Sequence, residues 1–184
     1  LKSQINPHFL FNSLNNVYAL TITRPDQASD QLLKLSDILR YMLYDSNEDR
    51  VPLDREIKYL KNYLSFVQLK DSSGMDVSFD VEVTDVNLTI APLLFIPFVE
   101  NAFKHSQIED IKNGFIHITL NSKGNQLTFE VENSIPSKKY IKDEVGGIGI
   151  KNVQQRLEIL YPGKYFLDVI NTGNTFRVHL KIEV

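Results

Sequence analysis

Apolar residues first recur at helical spacing. Between Ile5 and about Leu20, Phe11, Leu14 and Tyr18 follow one another around a helix; between about Gln27 and Tyr44, Leu32, Leu35, Leu39 and Met42 repeat at intervals of three and four. Pro7 suits a first helical turn, or bends a longer helix arriving from upstream. Thr23-Arg-Pro25-Asp is a turn signal, so the two stretches predict an antiparallel helical hairpin. Two helices enclose little core. Their stripes need a further surface, which either a second copy of the hairpin (a dimeric four-helix bundle) or the rest of the chain can supply. Asn47 to Pro52 interrupts the pattern. Asp54 is placed to cap a third helix with the stripe Ile57, Leu60, Leu64 and Val67, ended by Ser72-Ser-Gly74.

From there the period shortens. Met75 to Val83 reads as a strand with Val77, Phe79, Val81 and Val83 on one face. Pro92 to His105 predicts a helix. Phe115 to Leu120 and Gln126 to Val131 predict strands joined at Lys123-Gly-Asn125; Gly149 to Leu160 predicts a helix; Phe166 to Ile170 and Thr175 to Ile182 form a last pair across Asn171-Thr-Gly-Asn174. Hairpins dominate, so the fold expected is α+β, with a mixed or mainly antiparallel sheet and helices on one face. The expected division is a helical hairpin over 1–46, a connecting helix over 47–74 and an α/β domain over 75–184.

Composition narrows the chemistry. Of 184 residues, 42% are hydrophobic, which suits a folded chain. Twenty basic and 23 acidic residues give a net charge of -3 and no electrostatic reason to expect nucleic acid, although a local cationic pocket for phosphate stays open. The absence of cysteine excludes disulfides, thiolate catalysis and thiolate metal sites. The longest apolar run, Ala91 to Val99, falls far short of a bilayer crossing. The first residue is not Met and already sits in helical sequence, so the chain is expected to be a fragment whose membrane contact, if any, lies upstream.

Three stretches carry candidate chemistry. Along the predicted helix to His105, Glu100, Asn101, Lys104 and His105 fall on one arc of about 140°. An amide oxygen can ligate Mg²⁺, an ammonium can face phosphate and a carboxylate can polarise an attacking group. The same arc also suits an ordinary solvated face with a Glu100–Lys104 pair. Second, Gly146-Gly-Ile-Gly149 precedes a helix. Glycines let backbone N–H groups approach an anion, and a helix start favours phosphate; an ordinary flexible turn reads equally well. The spacing is neither a P-loop nor a dinucleotide fingerprint. Third, His8 follows Pro7 and shares a helical face with Asn12 and Asn15. A neutral ring nitrogen there can act as a nucleophile, and a surface histidine near a helix start is the plain alternative.

Together the three are more specific than any one. Ile5-Asn-Pro-His-Phe-Leu-Phe-Asn-Ser-Leu14 resembles the phosphoacceptor motif of the bacterial LytS-like sensor histidine kinases. Pro97-Phe-Val-Glu-Asn-Ala-Phe-Lys-His105 resembles their N box. Gly146-Gly-Ile-Gly-Ile-Lys-Asn-Val-Gln-Gln-Arg-Leu157, with Tyr161-Pro-Gly163, is similar to their distal glycine box. The resemblance spans essentially the whole chain, in the family's order. It implies a dimerising hairpin followed by a GHKL-type ATPase domain that binds ATP and Mg²⁺. By the same resemblance His8 is the phosphorylated histidine, Glu100 assists transfer, and Asn101 binds Mg²⁺. Lys104, His105, Gly147, Gly149 and Asn152 then lie around the phosphates.

One departure stands out. Many GHKL domains place an adenine-binding aspartate in Asp-x-Gly-x-Gly; here Asn133 falls at that position and the nearby glycines are missing. An amide carbonyl accepts less strongly than a carboxylate. The polar stretch from Pro136 would then form the lid. The resemblance further implies a homodimer through the N-terminal helices, a response-regulator receiver domain as partner (in this family often joined to a LytTR output domain), and a cytoplasmic location below an inner-membrane anchor. A nucleotide-responsive dimeric binding module with little kinase activity and a GHKL ATPase switch are the competing expectations.

Overall fold

The computed structural model describes residues 7–68, 76–85, 87–106, 113–136 and 148–184; the side chains of Pro7, His8 and Ile148 lie outside that description. The chain forms two compact units, Leu1–Ser72 with Ala91–Leu93, and Ser73–Ile90 with Leu94–Val184.

The first unit holds α1 (Pro7–Thr23), α2 (Pro25–Leu43), a 3-10 turn (Asp45–Asn47), the short β1 (Val51–Pro52) and α3 (Leu53–Gln68). Arg24 alone joins α1 to α2, and its N–H donates to Leu20 O at 2.8 Å. Pro25 opens α2, where its missing N–H costs no helical bond. Helix α2 packs on both α1 and α3, and Phe9 of α1 stacks on Tyr63 of α3 with centroids 5.6 Å apart.

The buried faces differ from those expected. Helix α2 buries Ala28, Gln31, Leu35, Ile38 and Tyr41, whereas Leu32 of the expected stripe is exposed. Helix α1 buries Ser13 and Val17 and leaves Phe11 and Tyr18 66% and 68% exposed. Both helices are apolar on more than one side, and the packed side is the one that meets neighbouring helices of the same unit. Helix α3 begins one residue before the expected cap: Leu53 is buried, and Asp54 accepts the Arg55 N–H at 2.7 Å from within the first turn. Its buried arc is also wider than expected, taking in Glu56, Tyr59, Tyr63 and Phe66.

The second unit contains β2 (Asp76–Glu82), the short β3 (Thr89–Ile90), α4 (Ile96–His105), β4 (Phe115–Lys123), β5 (Gln126–Ser134), α5 (Ile148–Leu160), β6 (Tyr165–Asn171) and β7 (Thr175–Glu183). Its five-stranded sheet has the order β2-β4-β5-β7-β6, with β2 parallel to β4 and every other pair antiparallel. The mixed α+β architecture expected from the sequence is therefore present. One face of the sheet carries Ile116, Ile118, Leu120, Phe129, Val131, Val178 and Leu180, all buried. Phe95, just before α4, stacks on Phe129 at 4.3 Å. The other face is polar: Arg177 of β7 pairs with Glu132 of β5 at 2.8 Å, and His117 of β4 lies 3.3 Å from Asp76 of β2. Gly124, at φ 59°, turns the β4–β5 hairpin in the left-handed region that favours glycine.

The helix expected over Pro92 to His105 is shorter. It starts at Ile96, with Pro97 in its first turn, because Leu93 has φ 54° and cannot join an α-helix. The expected strand start at Met75 lies outside the described residues, and Val83 falls beyond the end of β2. Among the described residues, no helix is long and apolar enough to cross a membrane.

Candidate nucleotide site

Helix α4 is anchored by its apolar side and leaves a polar arc outward. Ile96, Phe98, Val99 and Ala102 are buried; Asn101 is half-buried; Glu100, Lys104 and His105 are exposed. The ordinary reading of that arc included a Glu100–Lys104 ion pair, and no such pair forms between these two described residues. Desolvation by surrounding protein raises the Glu100 carboxyl above its ordinary value, although its surface stays open to water. A carboxylate shifted upward is a better proton acceptor near neutrality. Lys104 and His105 stand in the last turn, where a cation also favours the negative end of the helix dipole.

Helix α4 packs on both β5 and α5, so three expected contributors share one unit. From β5 comes Asn133, only 1% exposed. Its Nδ2 donates to Ser134 O at 2.8 Å, and the other end of the amide is an oxygen, which can only accept. From α5 come Gly149 and Asn152, both exposed, while Ile150, Val153 and Leu157 bury the opposite side. A methyl group built on Gly149 would meet nothing within 4 Å, and its backbone is not left-handed. The protein's own packing therefore imposes no need for glycine there.

Gly147, and the lid expected after Pro136, lie outside the described residues from 137 onward. His8 is the second residue of α1, but its side chain also lies outside the description. Among the described residues, no group of three or more His, Cys, Asp or Glu side chains could hold a metal.

Sequence reasoning missed one group. Glu56 is fully buried on α3, where it accepts hydrogen bonds from the Tyr41 hydroxyl and from Leu93 N–H, the latter at 3.0 Å. The signal was available: Glu56 stands at helical spacing from Leu53, Leu60 and Tyr63, inside the apolar arc.

Comparison with known proteins adds to this geometry. Residues 1–73 match the family profile described as Histidine kinase. The sensor histidine kinase YpdA of Escherichia coli (strain K12) is 32% identical over 170 residues, covering 88% of this chain and 30% of that protein. The sensor protein LytS of Enterococcus faecalis (strain ATCC 700802 / V583) is 29% identical over 195 residues, covering 99% of this chain and 33% of that protein. This chain thus spans about a third of the length of these relatives. In fold it is similar to the histidine kinase domain of the blue-light activated histidine kinase EL346 from Erythrobacter litoralis. That likeness has a TM-score of 0.51 at 19% identity, over 82% of this chain and 74% of that one.

Proposed function

We propose, from the premise that this chain belongs to the LytS-like family of sensor histidine kinases, that it transfers the γ-phosphoryl group of ATP to His8 and then to an aspartate of a response-regulator receiver domain. One observation carries this reading. The arc of Glu100, Asn101, Lys104 and His105 on α4 lies on a helix packed against both β5, with Asn133, and α5, with Gly149.

Each residue then has a chemical task. Asn133 accepts a hydrogen bond from the adenine amine through its amide oxygen. Asn101 offers its amide oxygen toward the metal, and Lys104 and His105 face the phosphates. Gly149 lets backbone N–H groups of the α5 first turn approach phosphate oxygens, with Gly147 ahead of it and Asn152 one turn further on. Bound Mg²⁺ would supply neutralisation of the phosphate charge. Transfer requires His8 of the same or a partner subunit to reach the γ-phosphorus in line. A neutral nitrogen of His8 forms the N–P bond as the bond to the bridging oxygen breaks and ADP leaves. Glu100 takes the proton released from the other ring nitrogen.

A second reading rests on Asn133. A neutral amide binds the adenine amine less strongly than a carboxylate, which favours a nucleotide-responsive binding module or an ATPase switch. Incubation with γ-labelled ATP and Mg²⁺ separates the readings, since only the kinase yields an acid-labile, alkali-stable phosphoprotein. Stable ATP binding without label would reject the kinase.

Gly149 gives a sharper check on the pocket. Gly149→Ala should leave the fold intact and raise stability by up to about 1 kcal/mol through helix propensity. Nucleotide affinity should fall in the same variant, because the added methyl group stands between backbone and phosphate. Thermal melting with and without nucleotide reads both, and undiminished affinity removes Gly149 from the site.

The family membership also supports a homodimer. Phe11, Leu14, Tyr18 and Ile22 lie along one face of α1, all exposed, and α2 exposes Leu32, Leu33 and Leu43. Isolated exposed leucines are ordinary, whereas repeats along two adjacent helices suit a four-helix bundle of two hairpins. Sedimentation should show a dimer at micromolar concentration. The double variant Tyr18→Glu/Leu33→Glu should sediment as a monomer with unchanged helical circular dichroism; a wild-type monomer contradicts the bundle. The regulator, in this family often pairing its receiver domain with a LytTR output domain, then carries any DNA contact. The parent protein is proposed to be anchored in the bacterial inner membrane, with this fragment on the cytoplasmic side.

A further inference from the structure

Glu56 is a carboxylate with no surface exposure, set among the apolar side chains of α3. An apolar residue of similar size would fill that position without removing a charge from water, so stability alone gives little reason for it. What it holds is specific. Tyr41 donates its hydroxyl to the Glu56 Oε2, and the Leu93 N–H donates to the same oxygen at 3.0 Å. The Tyr41 ring is fixed by stacking on Tyr59, with centroids 4.8 Å apart. Burial, reinforced by the Glu56 charge, pushes the Tyr41 phenol far above its ordinary value and keeps it a donor.

Leu93 is an unusual residue for such an anchor. It has φ 54°, the one non-glycine residue with positive φ among those described, and it is buried. A branched side chain seldom adopts that conformation unless its surroundings impose it. Ala91–Leu93 also belong to the helical unit, although the residues on either side belong to the other unit. Three residues after Leu93 the chain begins α4, the helix that carries Asn101.

We propose that Glu56, with Tyr41, is a positioning latch that holds Leu93, the strained lead-in of the nucleotide helix, within the helical unit, so that nucleotide bound beside α4 is felt in α2 and α3 and transfer to His8 depends on the latch. The latch rests on the kinase reading for its consequence in catalysis, but not for its mechanical part. Nucleotide affinity is set by residues after Ile96 and does not need it. Transfer does need it, because a small misplacement between donor and acceptor sharply reduces an in-line reaction.

The test uses Glu56→Ala, the milder Glu56→Gln and Tyr41→Phe, each confirmed folded by melting. The Gln side chain retains an acceptor for Leu93 N–H. Glu56→Ala should keep ATP affinity within about threefold of wild type while single-turnover phosphorylation of His8 falls by about tenfold or more, with Glu56→Gln recovering part of the rate. Hydrogen exchange supplies a readout that needs no transfer. Adding Mg·ATP to wild type should change exchange in α2 and α3, and Glu56→Ala should lose that change while still binding nucleotide. If wild type is never labelled yet shows this Glu56-dependent change, the kinase reading fails and the latch stands. Transfer unaffected by Glu56→Ala, affinity falling in step with transfer, or no response of α2 and α3 in wild type each overturns the latch.

Discussion

His8→Ala reduces acid-labile, alkali-stable phosphate on the protein to background after incubation with γ-labelled ATP and Mg²⁺, while ATP affinity and melting stay at wild-type values. The expected effect is complete because alanine has no nucleophilic nitrogen. Asn12 and Asn15, on the same helical face, carry amides whose nitrogens are not nucleophilic at neutral pH. The structure gives the control its clarity: His8 belongs to the helical unit, and every residue assigned to the nucleotide belongs to the other. Phosphate that persists in His8→Ala moves the acceptor elsewhere. Parallel loss of ATP binding would show that the variant damages more than the acceptor.

The second large effect is at Asn101. Its side chain is half-buried on the outward side of α4, while Phe98, Val99 and Ala102 anchor the helix. Asn101→Ala should therefore leave melting nearly unchanged. On the proposed assignment, the lost contact is one amide oxygen facing a divalent cation and its phosphates. Loss of a polar contact to a charged group corresponds to about 10- to 100-fold in affinity for Mg·ATP. Calorimetry with and without Mg²⁺ checks the assignment: the wild-type gain from the metal should shrink in the variant, and ATP alone should bind both proteins alike. An undiminished metal-dependent gain would remove Asn101 from the metal site.

The sequence was most informative where local chemistry decides local shape. Lys123-Gly-Asn125 marked the β4–β5 turn because glycine alone readily takes the φ of 59° found at Gly124. The polar arc of α4 was legible because a 3.6-residue period separates its two sides whatever surrounds them. The start of α4 was not legible. It depends on Leu93, whose positive φ accompanies a hydrogen bond to Glu56, 37 residues earlier. The packed side of α2 was likewise hidden, since leucines on two sides give no local sign of which meets α1 and α3. Asn133 was picked out by its place in a motif, but only the structure shows its Nδ2 committed to Ser134 O.

The single parallel pairing in the sheet has a consequence for how the domain assembles. The β4–β5 and β6–β7 hairpins need only short turns, so both can close early in folding. Strand β2 joins β4 in parallel, which it can do only after the chain from Val83 to Gly114 has crossed between them. Helix α4 lies inside that crossover. The helix proposed to face phosphate is thus enclosed by the parallel pairing, and weakening the β2 edge should loosen it without altering any residue proposed for the site.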